Sequence, residues 1–292
     1  MTDVRPMTAV DRELARASSD PAAVPSLQRA HGEARLGFVA VGGMTRLAEC
    51  FQSGSAKVLL PRTDDNTVRE AVLLNTAGGL TGGDHIAYAV RGGPGSRAVV
   101  STQAAERIYR RVTGSARAET TISVGAGAQL AWLPQETILF DRSALSRRLV
   151  ADVASGATFL AAESIVLGRA AMGETAPSIA VTDSWRIRRD GKLVFADGFR
   201  LDGDAAAVMS GSATGGGALA IATILLLSPE AESLVEEVRT EIGKGQCEAG
   251  VSAWNGMLVV RLAAPSGQVL KKDLIAIIER LRGKAMPRVW YC

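Results

Sequence analysis

Histidine and cysteine are scarce in this chain, and their scarcity argues against whole classes of chemistry. Its 292 residues include two histidines and three cysteines. A catalytic triad needs a histidine base, and neither His31 nor His85 lies in a nucleophile motif. A stable transition-metal site needs clustered His and Cys ligands, which this chain does not offer at suitable spacing. Cys50, Cys247 and Cys292 are odd in number and far apart, which disfavours a disulfide framework.

Long apolar runs and strongly one-sided charge are also missing. The longest apolar candidate, residues 218–227, is far shorter than the roughly 20 residues that a membrane helix requires. The N-terminus lacks the apolar core of a secretory signal, so we expect a cytoplasmic protein with no membrane partner. The 33 basic and 30 acidic residues give a net charge of +3. No basic block alternates with aromatic residues, so nucleic acid is not an expected partner.

Glycine, by contrast, is concentrated in the segment NTAGGLTGGD, residues 75–84. Glycine permits positive φ and close backbone approach. Gly78, Gly79, Gly82 and Gly83 therefore predict two consecutive tight turns or a bulged loop. A phosphate-binding P-loop is disfavoured because the Gly-Lys-Ser/Thr ending is absent. A dinucleotide fingerprint is disfavoured because the residues that follow alternate like a strand rather than opening a helix.

The texture of the chain divides it into three regions. Residues 1–26 lack sustained periodicity, which predicts a disordered N-terminal extension. Residues 27–227 are short apolar or alternating runs broken by turn-forming residues, which predicts a β-rich body. Residues 228–292 predict a helix-strand-helix lobe packed on that body, with a first helix starting at Ser228-Pro229-Glu230 and a second ending at Gly283. We expect a single domain overall, mainly β, with a small C-terminal α/β lobe containing two helices.

A faint internal repeat runs through the predicted body. Three segments end in Glu-x-Ile, at Glu106, Glu136 and Glu163, with spacings of 30 and 27 residues. Such a period is typical of stacked supersecondary units, in which equivalent residues lie one above another. The repeat predicts a column of three carboxylates along one side of the sheet stack. The alternative is that the similarity arose by chance and that the glutamates are solvated.

Carboxylates are the only potential metal ligands that are abundant in this sequence. Hard oxygen donors suit weak, exchangeable contact with a hydrated divalent cation better than storage. The alternative for each of them is a surface or salt-bridged position. The candidates, all in or beside apolar segments, are Glu106, Glu136, Asp141, Glu163 and Glu174.

The C-terminal tail combines arginine with aromatic residues. Arg288, Trp290 and Tyr291 are of the types that often anchor protein interfaces, so they are candidate partner-binding residues. The alternative is that the tail packs back onto its own sheet, because exposed aromatic side chains usually need a partner.

Several motifs follow one another in a fixed order along the chain. They are NTAGGLTGGD at 75–84, STQAAERIYR at 101–110, WLPQETILFD at 132–141, Gly168-Arg169 with Ala171-Met172-Gly173-Glu174, RRDGKLVFAD at 188–197 and PRVW at 287–290. Together these segments resemble the UreD/UreH family of urease accessory proteins, from about Leu27 to the C-terminus.

The resemblance implies a non-enzymatic maturation factor. Such a protein docks on the urease apoprotein, recruits the UreF and UreG accessory proteins and helps to deliver nickel to the urease active site. It implies a mainly β fold of layered, twisted sheets with helix-like stacking of strands. No cofactor is held tightly, and nickel is in transit. An internal passage has been proposed for the family, which gives the five carboxylates a candidate role as transient nickel waypoints.

Two departures from the family pattern stand out. Many relatives carry Pro-Pro-Gly-Gly where this chain has Thr76-Ala77-Gly78-Gly79, and they often have a cysteine or histidine shortly before it. No nickel ligand is therefore carried over to the residues ahead of the glycines. The terminal aromatic pair is extended here by Cys292.

A rival interpretation from a different class is a β-rich hydrolase or small-molecule-binding enzyme. It would use Asp84, His85 and a nearby carboxylate. A His85→Ala change would abolish such a hydrolase, whereas a urease maturation factor would tolerate it.

Overall fold

The computed structural model describes residues 28–63, 65, 67–168 and 176–291. The predicted extension at residues 1–26 lies outside this part of the chain, as do Glu174 and Cys292. The described residues build two large β-sheets, with one apolar core between the sheets and a second core between the second sheet and the C-terminal helices.

The first sheet has seven strands in the order β14-β13-β11-β8-β5-β1-β2. Pairing is parallel from β13 through β11, β8 and β5 to β1, and antiparallel at the two edge strands. The strands are β1 His31–Val41, β2 Met44–Gly54, β5 His85–Gly92, β8 Ala116–Val124, β11 Ala144–Val153, β13 Ile179–Arg189 and β14 Lys192–Gly203.

The second sheet has ten strands, eight of them in the order β16-β17-β15-β12-β9-β6-β4-β3. Two short strands, β7 and β10, pair with each other, and β10 also pairs with β12. The strands are β3 Ala56–Leu59, β4 Arg69–Asn75, β6 Arg97–Thr102, β7 Glu106–Ile108, β9 Gln129–Leu133, β10 Thr137–Leu139, β12 Thr158–Leu167, β15 Ala220–Leu227, β16 Glu248–Trp254 and β17 Met257–Ala264.

Successive coils of the chain stack on one another. The chain passes from the first sheet to the second and back, and strands of successive coils pair in parallel in both sheets. The short strands β7 and β10 form a further parallel ladder with the end of β12. The predicted mainly β fold, with layered sheets and helix-like stacking of strands, is therefore confirmed.

The sequence pattern of each strand reflects how many of its faces are covered. β11 alternates strictly between buried and accessible residues over most of its length, as expected for a sheet with one solvated face. β12 is buried along almost its whole length because it lies between the first sheet and the helical layer. A nearly continuous apolar run is what such a doubly covered strand requires.

In the described part of the chain, three α-helices accompany the sheets: α1 Ala205–Met209, α2 Val235–Ile242 and α3 Gly267–Arg282. Ser266 caps α3 by accepting a hydrogen bond from the Val269 N–H at 3.3 Å, and Gly283 ends it with a left-handed φ of 61°. The predicted stop at Gly283 is confirmed. Leu270, Leu274 and Ile278 form part of the buried stripe that packs on the second sheet.

The start of the first C-terminal helix differs from the prediction. Ser228 turns the chain by accepting a hydrogen bond from the Glu230 N–H at 3.2 Å, but the next turn, Ala231–Leu234, is a 3-10 helix. The α-helix begins only at Val235. The strands β16 and β17 of this region extend the second sheet through pairing of β17 with β15, so the region shares a sheet with the body.

Candidate functional site

The glycine-rich segment forms two consecutive turns beside the start of β5. The Gly78 N–H bonds to the Asn75 carbonyl at 3.1 Å, and the Asp84 N–H bonds to the Thr81 carbonyl at 3.0 Å. Gly78, Gly79 and Gly83 have φ values of 76°, 151° and 92°. Between the two turns, Leu80 forms a parallel bridge with Ile108 of β7. This path brings the end of β4 next to β7.

Gly82 is required for a different reason, which is close backbone approach. A Cβ atom at this position would lie 2.1 Å from the Thr113 carbonyl oxygen. Gly82→Ala should therefore lower the free energy of unfolding by about 1–3 kcal/mol, since backbone must move to relieve the clash. Urea unfolding measures the change. Gly250→Ala is the control, because no heavy atom lies within 4 Å of that Cβ; equal effects in the two variants would contradict the argument.

Glu106 lies under this turn segment at the edge of the inter-sheet interior. Its Oε1 accepts a hydrogen bond from the Asn75 Nδ2 at 3.0 Å. Glu106 and Asn75 line a cavity of about 140 Å³ that also includes Tyr88. Burial raises the pKa of the Glu106 carboxyl to about 7, against the opposing hydrogen bond from Asn75. The group therefore exchanges its proton near neutrality.

Two aromatic side chains occupy the interior between Glu106 and Glu163. Tyr88 is buried, and burial together with the nearby Glu106 raises the pKa of its hydroxyl. The ring of Tyr88 lies 6.1 Å from that of Trp132, centroid to centroid. The Trp132 Nε1–H donates to the Glu163 Oε1 at 2.9 Å. Each of the two aromatic side chains therefore places one polar group in an otherwise apolar core.

Glu163, Arg147 and Asp183 form a buried charged cluster, which we call the carboxylate network. Arg147 donates two hydrogen bonds to Asp183, from Nε to Oδ1 at 3.0 Å and from Nη2 to Oδ2 at 2.7 Å. Its Nε lies 3.4 Å from the Glu163 Oε2. The Trp185 Nε1–H donates to that same Oε2 at 3.1 Å. Two carboxylates therefore share one guanidinium.

Burial governs the electrostatics of this network. It raises the pKa of the Glu163 carboxyl, an effect that Arg147 opposes and Asp183 adds to. Burial by itself would lower the pKa of Arg147, but the adjacent Asp183 and Glu163 raise it instead. The guanidinium is therefore permanently charged. Buried charges of this kind are expensive unless they are paired, which makes the network a candidate functional site.

A cavity of about 530 Å³ adjoins the carboxylate network. It lies between β13 and β14 of the first sheet and β15, β16 and β17 of the second. The Arg261 Nη2 and the Asp197 Oδ1 form an ion pair at 2.8 Å in its lining, which also includes Glu248. Its polar groups lie on both sheets, so only the assembled fold creates it.

The predicted column of three glutamates is wrong. In the parallel ladder Glu106 pairs with Thr137, and Thr137 pairs with Ile165. The residues aligned with Glu106 therefore lie one position after Glu136, in β10, and two positions after Glu163, in β12. A one-residue shift turns a side chain to the opposite face of a sheet. Glu106 and Glu163 consequently face the interior. Glu136 faces α3, where its Oε2 lies 3.9 Å from the Lys271 Nζ.

The remaining predicted carboxylates lie elsewhere. Asp141 follows β10 in a loop, where its Oδ1 accepts the Ser178 N–H at 3.1 Å and its Oδ2 lies 3.4 Å from the Arg142 Nε. Glu174 lies outside the described residues. Across the described part of the chain, His, Cys, Asp and Glu side chains form no group of three or more that could hold a metal ion. The predicted waypoints are not gathered into one site.

Sequence reasoning missed Arg147 and Asp183. The signal was present in strand parity: Arg147 falls on the same face of β11 as Leu145 and Leu149. Asp183 likewise falls on the buried face of β13, in step with Val181. A charged residue in an inward-facing position of an amphipathic strand needs an opposite charge across the core.

Comparison with known proteins identifies the family to which this architecture belongs. The family model described as UreD urease accessory protein matches residues 30–291. The chain belongs to the UreD family of urease accessory proteins. Membership in the UreD family supports a role in urease maturation and makes the chain an accessory factor rather than an enzyme.

Individual relatives are similar over nearly their whole length. The urease accessory protein UreD of Rhizobium rhizogenes is 50% identical over 264 residues, which cover 90% of this chain and 96% of the relative. UreD of Azorhizobium caulinodans is 42% identical over 269 residues, covering 92% of this chain and 99% of the relative. UreD of Xanthobacter autotrophicus is 43% identical over 263 residues, covering 90% of each.

The rival hydrolase interpretation fails with the UreD assignment, and the structure gives Asp84 a structural role. The Asp84 carboxylate accepts the N–H groups of Ala30 and Thr81, both at 2.8 Å. It therefore ties the turn to the chain ahead of β1. His85 instead contacts Glu119, with Nε2 2.9 Å from Oε2. Asp84 is buried, whereas His85 and Glu119 are partly exposed.

The C-terminal tail of this UreD chain packs against the second sheet. Trp290 is 2% exposed, and its Nε1–H donates to the Leu133 carbonyl at 3.1 Å. Trp290 thus fixes the tail to the second sheet and leaves little of its side chain accessible to a partner protein. Arg288 is exposed, and Tyr291 is exposed with its hydroxyl bonded to Glu279. A partner-binding role for Arg288 and Tyr291 stays a prediction.

Two further sequence expectations concern thiols and membranes. Cys50 is an exposed free thiol, and Cys247 is a half-buried one. Burial raises the pKa of the Cys247 thiol to about 12, and Asp273 adds to the shift. Within the described ranges, no helix is both long and apolar enough to span a membrane.

Proposed function

We propose that this chain assists nickel delivery to urease in the cytoplasm by binding the urease apoprotein together with the UreF and UreG accessory proteins. Nickel passes through the interior between the two sheets and is not stored there. The observation that carries this proposal is the carboxylate network, because two buried carboxylates border a cavity of about 530 Å³. Burying charges is costly even when they are paired, so a buried charged cluster beside a cavity is a candidate functional site.

A line of polar groups supports the interior route. It leads from Glu106 at the smaller cavity past Tyr88 and Trp132 to Glu163 at the larger one. Carboxylate oxygens are hard donors that bind a hydrated divalent cation weakly when few are gathered together. Two separated carboxylates, rather than a closed ligand set, suit transit. Glu136 and Asp141 lie off this line and are not part of the proposed route.

The tail residues that we propose for partner binding are the exposed ones. Partner contacts at the C-terminus fall to the exposed Arg288 and Tyr291, since Trp290 is buried against the second sheet. Arginine and tyrosine are among the residue types enriched where protein interfaces have their largest energetic contributions.

The experiment that tests the proposal measures urease activity in nickel-fed cells. The cells express the urease subunits and the other accessory proteins, with or without this chain. We expect activity and urease-bound nickel to fall by at least about tenfold when the chain is omitted, the scale of effects seen when a metal site loses its supporting groups. No catalytically inactive variant is needed as a control, because the chain itself catalyses no reaction. Equal nickel content of urease in both strains would overturn the proposal.

A further inference from the structure

The carboxylate network contains a positive charge as well as its two carboxylates, because the Arg147 guanidinium contacts both Glu163 and Asp183. Both Asp183 oxygens accept hydrogen bonds from the Arg147 guanidinium, at 3.0 and 2.7 Å. The Glu163 oxygens accept the indole N–H groups of Trp132 and Trp185, at 2.9 and 3.1 Å. Each carboxylate oxygen is thus already engaged by a donor on the protein.

Arg147 is held firmly in this position. Its Nη1–H donates to the Thr137 Oγ1 at 3.1 Å, so Thr137, Asp183 and Glu163 hold it from β10, β13 and β12. The side chain is 9% exposed. Arginine keeps its proton under all conditions in which proteins fold, so its charge cannot be removed by a change of pH. A positive charge is permanently present beside the two carboxylates.

We infer that Arg147 acts as a built-in counter-ion that keeps the affinity of Glu163 and Asp183 for divalent cations low, so that nickel leaves the interior instead of being retained. This inference rests on the proposed route through the interior. A divalent cation that approaches the carboxylates meets the repulsion of the guanidinium and must displace its hydrogen bonds. Removing the guanidinium takes away the one positive charge beside the two carboxylates, so that a cation, either a proton or a divalent metal ion, is favoured in its place in a medium of low dielectric constant.

The test converts the network from a transit point into a binding site. Arg147→Met in the full-length chain removes the charge and keeps an apolar stem of similar length. Equilibrium dialysis against Ni²⁺ should show one additional bound ion per chain, with a dissociation constant at least about 100-fold lower than in the wild type. A gain of binding is a readout that simple loss of structure does not produce.

The chain offers matched controls at the neighbouring position and in the network itself. Arg148 follows Arg147 on β11 but is exposed on the opposite face, so Arg148→Met should leave nickel binding unchanged. Arg147→Lys retains the positive charge and should not create the tight site. Adding Glu163→Gln and Asp183→Asn to Arg147→Met should remove the gained ion. Nickel affinity in Arg147→Met equal to that of Arg148→Met would overturn the inference.

Two further measurements keep the inference testable if Arg147→Met does not fold. Arg147→Gln also removes the charge but retains a hydrogen-bond donor for Asp183, and it should gain the same site. In the wild type, Ni²⁺ quenching of the tryptophans that contact Glu163 should not saturate at micromolar concentrations. Saturation in that range would show that Arg147 does not suppress binding, and the inference would be wrong.

The outcomes separate this inference from the proposed function. Normal urease activation by Glu163→Gln would refute the interior route. It would also refute the transit role of Arg147, whatever the dialysis results. Suppose instead that Glu163→Gln activates urease poorly and that neither Arg147→Met nor Arg147→Gln gains nickel binding. That result would support the interior route and refute the counter-ion role of Arg147. A gain of binding together with reduced urease activation by Arg147→Met would support both.

Discussion

Glu163→Gln should lower nickel loading of urease by about tenfold to 100-fold in nickel-fed cells, the usual scale when a group that contacts a metal loses its charge. The change removes the negative charge at the centre of the proposed route while keeping the size of the side chain. Glu163 is 5% exposed and lines the cavity of about 530 Å³. The measurement is the nickel content and specific activity of urease purified from cells that express the variant.

Glu136→Gln is the matched control for this prediction. Both glutamates belong to the sequence repeat, but Glu136 faces α3 and pairs with Lys271 outside the inter-sheet interior. It should leave nickel loading within about twofold of the wild type, since a partly exposed ion pair contributes little. Equal loading in the two variants would contradict the interior route.

Assembly must be measured beside loading, because the Gln amide disturbs the network. A glutamine offers one carbonyl oxygen to the indole N–H groups of Trp132 and Trp185, which both donate to Glu163 in the wild type. The unmatched donor should cost about 1–3 kcal/mol of unfolding free energy. Co-purification with urease and the other accessory proteins should nevertheless be retained. Lost co-purification would assign the loading defect to folding or docking.

Trp290→Ala should lower the free energy of unfolding by about 3–5 kcal/mol, which is the range for truncating a large buried side chain. Trp290 lies between the second sheet and α3, in the apolar core that includes Leu270 and Leu274. Its indole hydrogen bond to the Leu133 carbonyl would be lost as well. Urea unfolding followed by circular dichroism, which monitors the β-structure, measures the change.

Tyr291→Ala is the control for the tail. Tyr291 is 60% exposed and is tied mainly by the hydrogen bond from its hydroxyl to Glu279. Its truncation should cost no more than about 1 kcal/mol. If both variants unfold at the same urea concentration as the wild type, the tail is not anchored as described. A urease-binding defect in Tyr291→Ala without loss of stability would instead support the predicted partner role of Tyr291.

The sequence repeat illustrates how far pattern reasoning reaches. Its spacings of 30 and 27 residues correctly indicated stacked units, because β7, β10 and β12 do pair in parallel. The ladder, however, advances by 31 and then 28 residues between paired positions. The difference of one residue per coil reversed the face of Glu136. Hydrogen-bond register is decided by the turns between strands and by core packing, and a short motif does not encode it.

The C-terminal region shows a similar limit. Apolar spacing located α3 and its stop at Gly283, since both depend on local propensity and on the conformational freedom of glycine. The same reasoning placed an α-helix start at Ser228, where the chain forms a 3-10 turn over Ala231–Leu234 instead. The Gly256 N–H bonds to Glu232 at 3.0 Å, so contact with the turn between β16 and β17 holds this segment. Tertiary contacts override weak local preferences.

The sequence by itself determined the β character of the chain, the two turns of residues 75–84 and membership in the UreD family. These properties depend on alternation, on glycine and on motifs within a few residues of one another. Only the tertiary structure decided that Glu163 meets Arg147 and Asp183 and that Trp290 is buried. Arg147 and Asp183 are 36 residues apart and lie on neighbouring strands of the first sheet, while Glu163 faces them from the second. Such a meeting requires the register within each sheet and the stacking between sheets together, and both arise from cooperative packing of the whole core.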